Sequence, residues 1–365
     1  MSKKQIKTTK EPLIRTVKRT EMTLGAARVL RLCALLLALL AGAVFLLAMG
    51  YHPLTIYGTI ISGAFRSKIA IQGTVKIIIP LLISSLGVTL AYKMQFWNIG
   101  AEGQIIMGAI FASYFALFHA DWPRPILLVV MLLAGCLGGG LWGLIPAFFK
   151  SKFNTNETLF TLMLNYIALY MISFLRDGPW RDPANPGFAK IATFEANAQL
   201  PKVFGIQIGW IFALVILIFV YVYMKYTKQG YELRVVGYSN ATAVYAGMNV
   251  KKIILRTVFL SGAICGIAGM AQASGSDLTL AAGVAGGVGF TAIIVAWLGN
   301  LNPVSIVIIS VLFAVLQKGS SVVQSSIGLS QDCSAVLQGI VLMFVLACEF
   351  FIRYSFVVRK SGGAK

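Results

Sequence analysis

The sequence predicts an all-α integral membrane protein with about ten transmembrane helices, and two observations carry that prediction. Uncharged apolar stretches of about 18 or more residues recur along the whole chain, each long enough to cross roughly 30 Å of hydrocarbon. The basic residues gather in an N-terminal tail and in alternate connections between those stretches, which is the positive-inside distribution. Composition agrees: 58% of the residues are hydrophobic and 12% charged, with a mean hydropathy of +0.81, against about a quarter charged in an ordinary soluble domain.

Taken in order, the spans are expected at Leu32 to Met49, Gly73 to Tyr92, Gly100 to Phe118, Pro125 to Phe149, Thr158 to Leu175 and Ile206 to Tyr226. Four more follow at Ile253 to Gln272, Val284 to Leu298, Val304 to Leu316 and Ala335 to Ile352. The run from Val304 to Leu316 is short, and the Gly-rich AAGVAGGVGF precedes the span before it, so one of the two is expected to be a broken or re-entrant helix. The chain divides into a basic tail over 1–31, a transmembrane domain over 32–352 and a second tail over 353–365.

The formal net charge of +19 invites a nucleic-acid reading, but its placement excludes one. Lys3, Lys4, Lys7, Lys10, Arg15, Lys18 and Arg19 form a solvated tail suited to an anionic leaflet. With an even number of spans both termini lie in the cytoplasm, together with Lys150, Lys152, Lys225, Lys228, Arg234, Lys251, Lys252 and Arg256. The loop over 176–205, with its RDGPWRDPANPG, is then the one sizeable external segment and reads as an ordered or semi-ordered cap. The first apolar run is too long for a signal-peptide core and has no cleavage pattern after it, so it is expected to stay as an anchor.

Glycine is abundant, with 36 residues, and GCLGGGLWG at 135–143 and SGAICGIAG at 261–269 place small residues for close helix approach. Three polar strings interrupt the apolar background. In FWNIGAEGQ, Asn98 reads as a helix N-cap and Glu102 falls in the first turn, where the helix dipole favours a carboxylate. Glu102 either borders a solute path or pairs with Lys93 or Lys76, and Phe96 and Trp97 either stack on a planar solute or belong to an interfacial aromatic belt.

In NTNETLFTLMLNYIAL, Asn156 or Thr155 caps the next helix, and Asn165 and Tyr166 lie two turns into the membrane as helix glue or solute contacts. The third string, from Gly230 to Arg256, carries a small helix capped by Asn240, running through ATAVYA and stopped by Gly247. Its apolar residues Val244 and Met248 lack a lipid partner, so it lies on the membrane or docks in another protein's groove.

Absent motifs narrow the chemistry. There is no GxxxxGK[ST] phosphate loop, HExxH or GxSxG, and the five cysteines form neither a CxxC nor a Cys/His cluster. The chain is therefore expected to move a solute, and neither catalysis nor a bound metal or other cofactor is expected of it.

These strings resemble the permease subunits of bacterial ABC importers, in the branch of the ribose and branched-chain amino-acid permeases. NIGAEGQ at 98–104 is most similar to the nucleoside permeases that work with a lipoprotein of the basic membrane protein class. NETLFTLMLNYIA at 156–168, GYELRVVGYSNATAVYAGMNV at 230–250 and GFTAIIVAWLGNLNP at 289–303 also match the pattern. Trp297 and Asn300 depart from it, standing where relatives often carry smaller residues or glycine.

The resemblance implies an ATP-driven importer permease in the cell (inner) membrane, with nucleosides as solute and a simple sugar such as ribose as the alternative. It makes the 227–252 loop a cytoplasmic coupling loop, in which Asn240, Ala241, Val244, Tyr245, Gly247 and Met248 meet the ATPase. Substrate-path residues would be Phe96, Trp97, Asn98, Glu102, Gln104, Asn165 and Tyr166. Implied partners are an ABC ATPase subunit that uses ATP and Mg, a second related permease and an external substrate-binding lipoprotein, besides the membrane lipids. The competing class is an ion-coupled secondary transporter, for which only Glu102, Asp277 and Asp332 could serve as intramembrane acids.

Overall fold

The computed structural model describes residues 14–18, 23–185, 187 and 189–358; the rest of the expected basic tail and the last basic residues lie outside these. The helices are α1 (Leu24–Ala48), α2 (Pro53–Phe65), α3 (Lys68–Lys93), α4 (Ala101–Phe118), α5 (Arg124–Phe153), α6 (Glu157–Asp177), α7 (Gly209–Tyr226), α8 (Lys228–Tyr238), α9 (Asn240–Tyr245), α10 (Val250–Gln272), α11 (Val288–Leu298), α12 (Pro303–Ile327) and α13 (Gln331–Arg353). A π turn, Ala273–Asp277, continues α10. The strands are short: β1 (Ile14–Lys18), β2 (Lys202–Val203), β3 (Ile206–Gln207) and β4 (Tyr354–Val358).

Among the described residues, eight helices are long and apolar enough to cross a membrane: α1, α3, α4, α5, α6, α7, α10 with its π turn, and α12. The two other expected spans fall on α11 and α13. With 11 residues, α11 is about 16 Å long and crosses only half of the hydrocarbon. It is the broken element, and the segment from Leu278 to Gly287 that leads into it is not helical.

Helix α12, by contrast, is no half-helix, because it runs on through QKGSSVVQSSI to Ile327. The polar residues that end the hydropathy run there satisfy themselves on the helix: Ser320 Oγ donates to the Leu316 carbonyl at 2.6 Å and Ser321 Oγ to that of Gln317 at 3.2 Å. The 13-residue α2 is an element that the span count omits.

The chain forms two units, one of residues 1–58 with 330–365 and one of residues 59–329. In the first, α1 packs on α13, and β1 pairs antiparallel with β4 in the register Ile14 to Val358. Leu32, Leu36, Leu40 and Leu47 of α1 stay exposed, as residues do whose solvent is lipid.

In the second unit α4, α5 and α10 pack through glycine. A Cβ on Gly266 would collide with the Gly135 carbonyl, and one on Gly269 with the carbonyl of Ile105. Backbones therefore approach as they do at small-xxx-small seams. At one end of this bundle the 189–208 segment packs on the helix ends: the Phe194 and Leu200 amides donate to the carbonyls of Leu278 and Ser274 at 2.8 and 3.0 Å. Ile191, Phe194, Ala198 and Leu200 of this segment are buried.

Candidate functional site: a polar knot, a cleft and a two-helix loop

The polar knot forms where α4 begins. Helix α4 starts at Ala101, so Asn98 stands outside it and is not its N-cap; that position is Gly100. Asn98 is fully buried and instead pairs amide to amide with Gln104, donating at 3.1 Å and accepting at 3.2 Å, while its Oδ1 also accepts from the Gly100 amide at 3.0 Å. Asn165, two turns into α6, accepts from the Gly103 amide at 2.8 Å and donates to the Ile99 carbonyl at 2.9 Å. These amides cost little in the membrane because the protein satisfies them.

Glu102 pairs with neither Lys93 nor Lys76. Its two carboxylate oxygens accept from the backbone amides of Gly287 and Gly289 at 2.8 and 2.7 Å, at the start of α11. One carboxylate therefore sits between the N-termini of α4 and α11, each carrying roughly half a positive charge. The two backbone N–H groups occupy one carboxyl oxygen each, so the partners of Glu102 here are amides and not a lysine. Gly289 permits the approach, since a Cβ there would collide with the Glu102 backbone.

The aromatics divide. Phe96 is buried. Trp97 is 42% exposed and stacks on Trp297 with ring centroids 5.6 Å apart, Tyr92 meeting both edge-on at 5.5 and 5.8 Å. Trp297, one of the two departures from the family pattern, completes this cluster; Asn300, the other, has φ of 53°, a left-handed conformation that Asn tolerates. Tyr166 is 53% exposed on the face of α6 away from Asn165.

A cleft of about 210 Å³ opens between α3, the π turn, the 283–288 segment and α12, lined by Lys76, Pro80, Gln272, Ser276 and Gln317 among others. Gln272 donates to Asp277 at 3.0 Å and Ser276 accepts from Gln207 at 2.9 Å. Of these liners the sequence singles out only Lys76, and as a partner for Glu102. The signal was there: a lysine inside α3, a glutamine at the end of α10 and another inside α12 interrupt apolar runs.

At the other end of the bundle from the 189–208 segment, α8 and α9 form a two-helix loop. Thr227 caps α8, accepting from the Gly230 amide at 3.0 Å. Ser239, and not Asn240, caps α9 by accepting from the Thr242 amide at 3.2 Å, and Asn240 is its first residue. Gly247 follows the helix with φ of 73°, as expected of a stop. Ala243 is buried, while Tyr238, Val244 and Tyr245 are exposed at 92%, 63% and 95%; Ala241 is exposed and Met248 half-buried. Helix α8 is tied down by Glu232, which accepts from Arg256 of α10 at 3.0 Å, and by Gly237, which lies against the Lys93 carbonyl of α3.

Comparison with known proteins gives the family. Residues 69–346 match the family model described as branched-chain amino acid transport system / permease component. The chain belongs to this permease family. It is 32% identical to a glucose ABC transporter permease of Haloferax volcanii, over 87% of each chain. A guanosine ABC transporter permease of Bacillus subtilis is 31% identical over 91% of this chain and 97% of its own. A nucleoside ABC transporter permease of Lactococcus lactis is 29% identical over 90% of this chain and 91% of its own. No solved structure matches.

The chain is thus a multi-pass membrane protein and a transport component, with ATP hydrolysis belonging to a separate chain. That separates it from the ion-coupled secondary transporters.

Proposed function

We propose that this permease forms the path by which nucleosides enter the cell in an ATP-driven importer. The observation that carries the proposal is the likeness, over nine-tenths of the chain, to permeases named for guanosine and for nucleosides. The glucose permease of similar identity favours a second reading, in which the solute is a simple sugar. Both solutes are neutral and rich in hydroxyl groups, so a permease of this shape suits either.

In this reading the transmembrane domain over 32–352 lies in the cell (inner) membrane with the 176–205 loop outside and the 227–252 loop in the cytoplasm. The pairing of β1 with β4 supports termini on one side, and the basic loops support the cytoplasmic side. Asn240, Ala241, Val244, Tyr245, Gly247 and Met248 meet the ATPase, with the exposed Val244 and Tyr245 as the apolar contact. Asn98, Glu102, Gln104 and Asn165 shape the passage by holding the starts of α4 and α11, and Trp97 offers a stacking face at the cytoplasmic end. A second related permease and an external substrate-binding lipoprotein complete the assembly; ATP and Mg are used by the ATPase, and this chain holds no cofactor.

The test is uptake of labelled guanosine by cells with and without this chain, with unlabelled adenosine, ribose and glucose as competitors. Uptake that depends on the chain and is blocked by adenosine but by neither sugar is the expected result. Guanosine uptake that persists without the chain, in cells with no redundant route, would overturn the nucleoside reading; chain-dependent glucose or ribose uptake would establish the sugar one.

A further inference from the structure

We propose that the cleft between α3, the π turn, the 283–288 segment and α12 is a solute-binding subsite, in which Lys76 and Gln317 meet the acceptor oxygens of a neutral, oxygen-rich solute such as an oxo-purine nucleoside. The inference rests on the permease reading and adds the place and the chemistry of recognition.

Depth is the first argument. Lys76 lies eight residues into α3, counted from Lys68, and Gln317 ten residues from the Ile327 end of α12. At 1.5 Å per residue these are about 12 and 15 Å along the helices from those ends, and Lys76 falls within the apolar run from Gly73 to Tyr92. A charged side chain inside an apolar span is costly and faces a polar cavity or a partner. Among the described residues, neither the Lys76 ammonium nor the Gln317 amide has a hydrogen-bond or ion-pair partner, and both line the cleft. The other two polar walls are already engaged, Gln272 by Asp277 and Ser276 by Gln207, so they hold the shape while Lys76 and Gln317 stay available.

The backbone adds an acceptor. Pro80 lies one turn after Lys76 in α3 and has no N–H to give, which leaves the Lys76 carbonyl without its helical donor on the face that lines the cleft. The cleft therefore offers an ammonium, an amide and a carbonyl within about 210 Å³, room for one ring with its substituents. A second ammonium lies close: Lys318 reaches back against Gly73 of α3, where a Cβ would touch its side chain. Two lysines on one seam repel cationic solutes and suit neutral ones that accept hydrogen bonds. The remaining wall, 283–288, ends at the amides that Glu102 holds.

The experiment uses the complete transporter in cells. Lys76→Met should raise the apparent KM for guanosine at least tenfold with unchanged membrane abundance, Lys76→Arg should recover much of the loss, and Lys68→Met, at the exposed start of α3, should behave as the parent. Lys76→Cys, compared with the parent for its native cysteines, should react with a membrane-impermeant thiol reagent, and saturating guanosine should slow that reaction. A parent-like KM in Lys76→Met, or a thiol that no transported solute protects, would overturn the subsite. If glucose protects the thiol and guanosine does not, the subsite stands and the nucleoside reading falls.

Discussion

Replacing the Glu102 carboxylate by its neutral isostere, Glu102→Gln, isolates the link between α4 and α11. In the parent each carboxylate oxygen accepts one backbone N–H, from Gly287 at 2.8 Å and Gly289 at 2.7 Å. The amide can accept only one of these; its NH2 group would face the other N–H, donor against donor. Hydrogen bonds to a charged group contribute about 1.5–3 kcal/mol and a buried unsatisfied donor costs about 1–3 kcal/mol. With one neutral bond kept, opening of the 283–289 segment should become easier by about 2–4 kcal/mol. At 1.36 kcal/mol per decade, that is roughly a 30- to 900-fold rise in the opening constant.

Hydrogen exchange of a peptide spanning 283–290, followed by mass spectrometry in the purified transporter, reads that constant directly. Glu157→Gln is the control, since Glu157 bonds Lys150 at 2.9 Å on a different seam and should leave the peptide unchanged. Exchange within threefold of the parent in Glu102→Gln would mean that the carboxylate does not hold the half-helix.

Two further substitutions test other parts of the argument. Gly266→Ala should lower the apparent melting temperature by several degrees, because the new Cβ meets the Gly135 carbonyl and overpacking costs about 1–3 kcal/mol. Gly58→Ala, which faces open space, should be neutral or raise it by the helix preference of alanine over glycine; equal melting of both variants would remove the glycine seam as a source of stability. Val244→Asp leaves the fold intact because the side chain is 63% exposed, and should lower uptake at least tenfold if, as proposed, α9 sets Val244 against an apolar surface of the ATPase. Normal uptake with the ATPase still copurifying would dismiss the docking of α9.

Much of the fold was legible because lipid imposes a simple rule on sequence. Each of the ten expected spans falls on a helix, and their polar interruptions mark connections. The same rule misjudged α12, where Gln317 to Ser321 end the apolar run although the helix continues, because serine hydroxyls bond back to the preceding turn. Local chemistry located the polar strings but not their partners. Glu102 meets amides 185 and 187 positions away, and nothing in the spacing of either segment indicates that pairing. Lys76 and Gln317 were equally visible as polar residues in apolar helices, yet only packing brings α3 and α12 together to line one cleft.

The contacts of the two-helix loop give this packing a mechanical meaning. Helix α8 touches α3 through Gly237 against the Lys93 carbonyl and α10 through the Glu232–Arg256 pair at 3.0 Å. Those two helices also carry walls of the cleft at their far ends, Lys76 and Pro80 on α3, Gln272 and, just past it on the π turn, Ser276. Helix α10 has little freedom to absorb a push by bending, because its glycine face seats directly on the backbones of α4 and α5 and close-packed interiors transmit strain. Helix α3 differs in having Pro80, where the missing hydrogen bond makes bending cheap. The contacts therefore connect α8 to the cleft by two routes, one along the closely seated α10 and one along α3 with its Pro80. If the cleft binds the solute, a difference in compliance between the two routes would change the separation of Lys76 from Gln272, and a distance between labels at these two positions that is the same with and without ATP in the complete transporter would rule this coupling out.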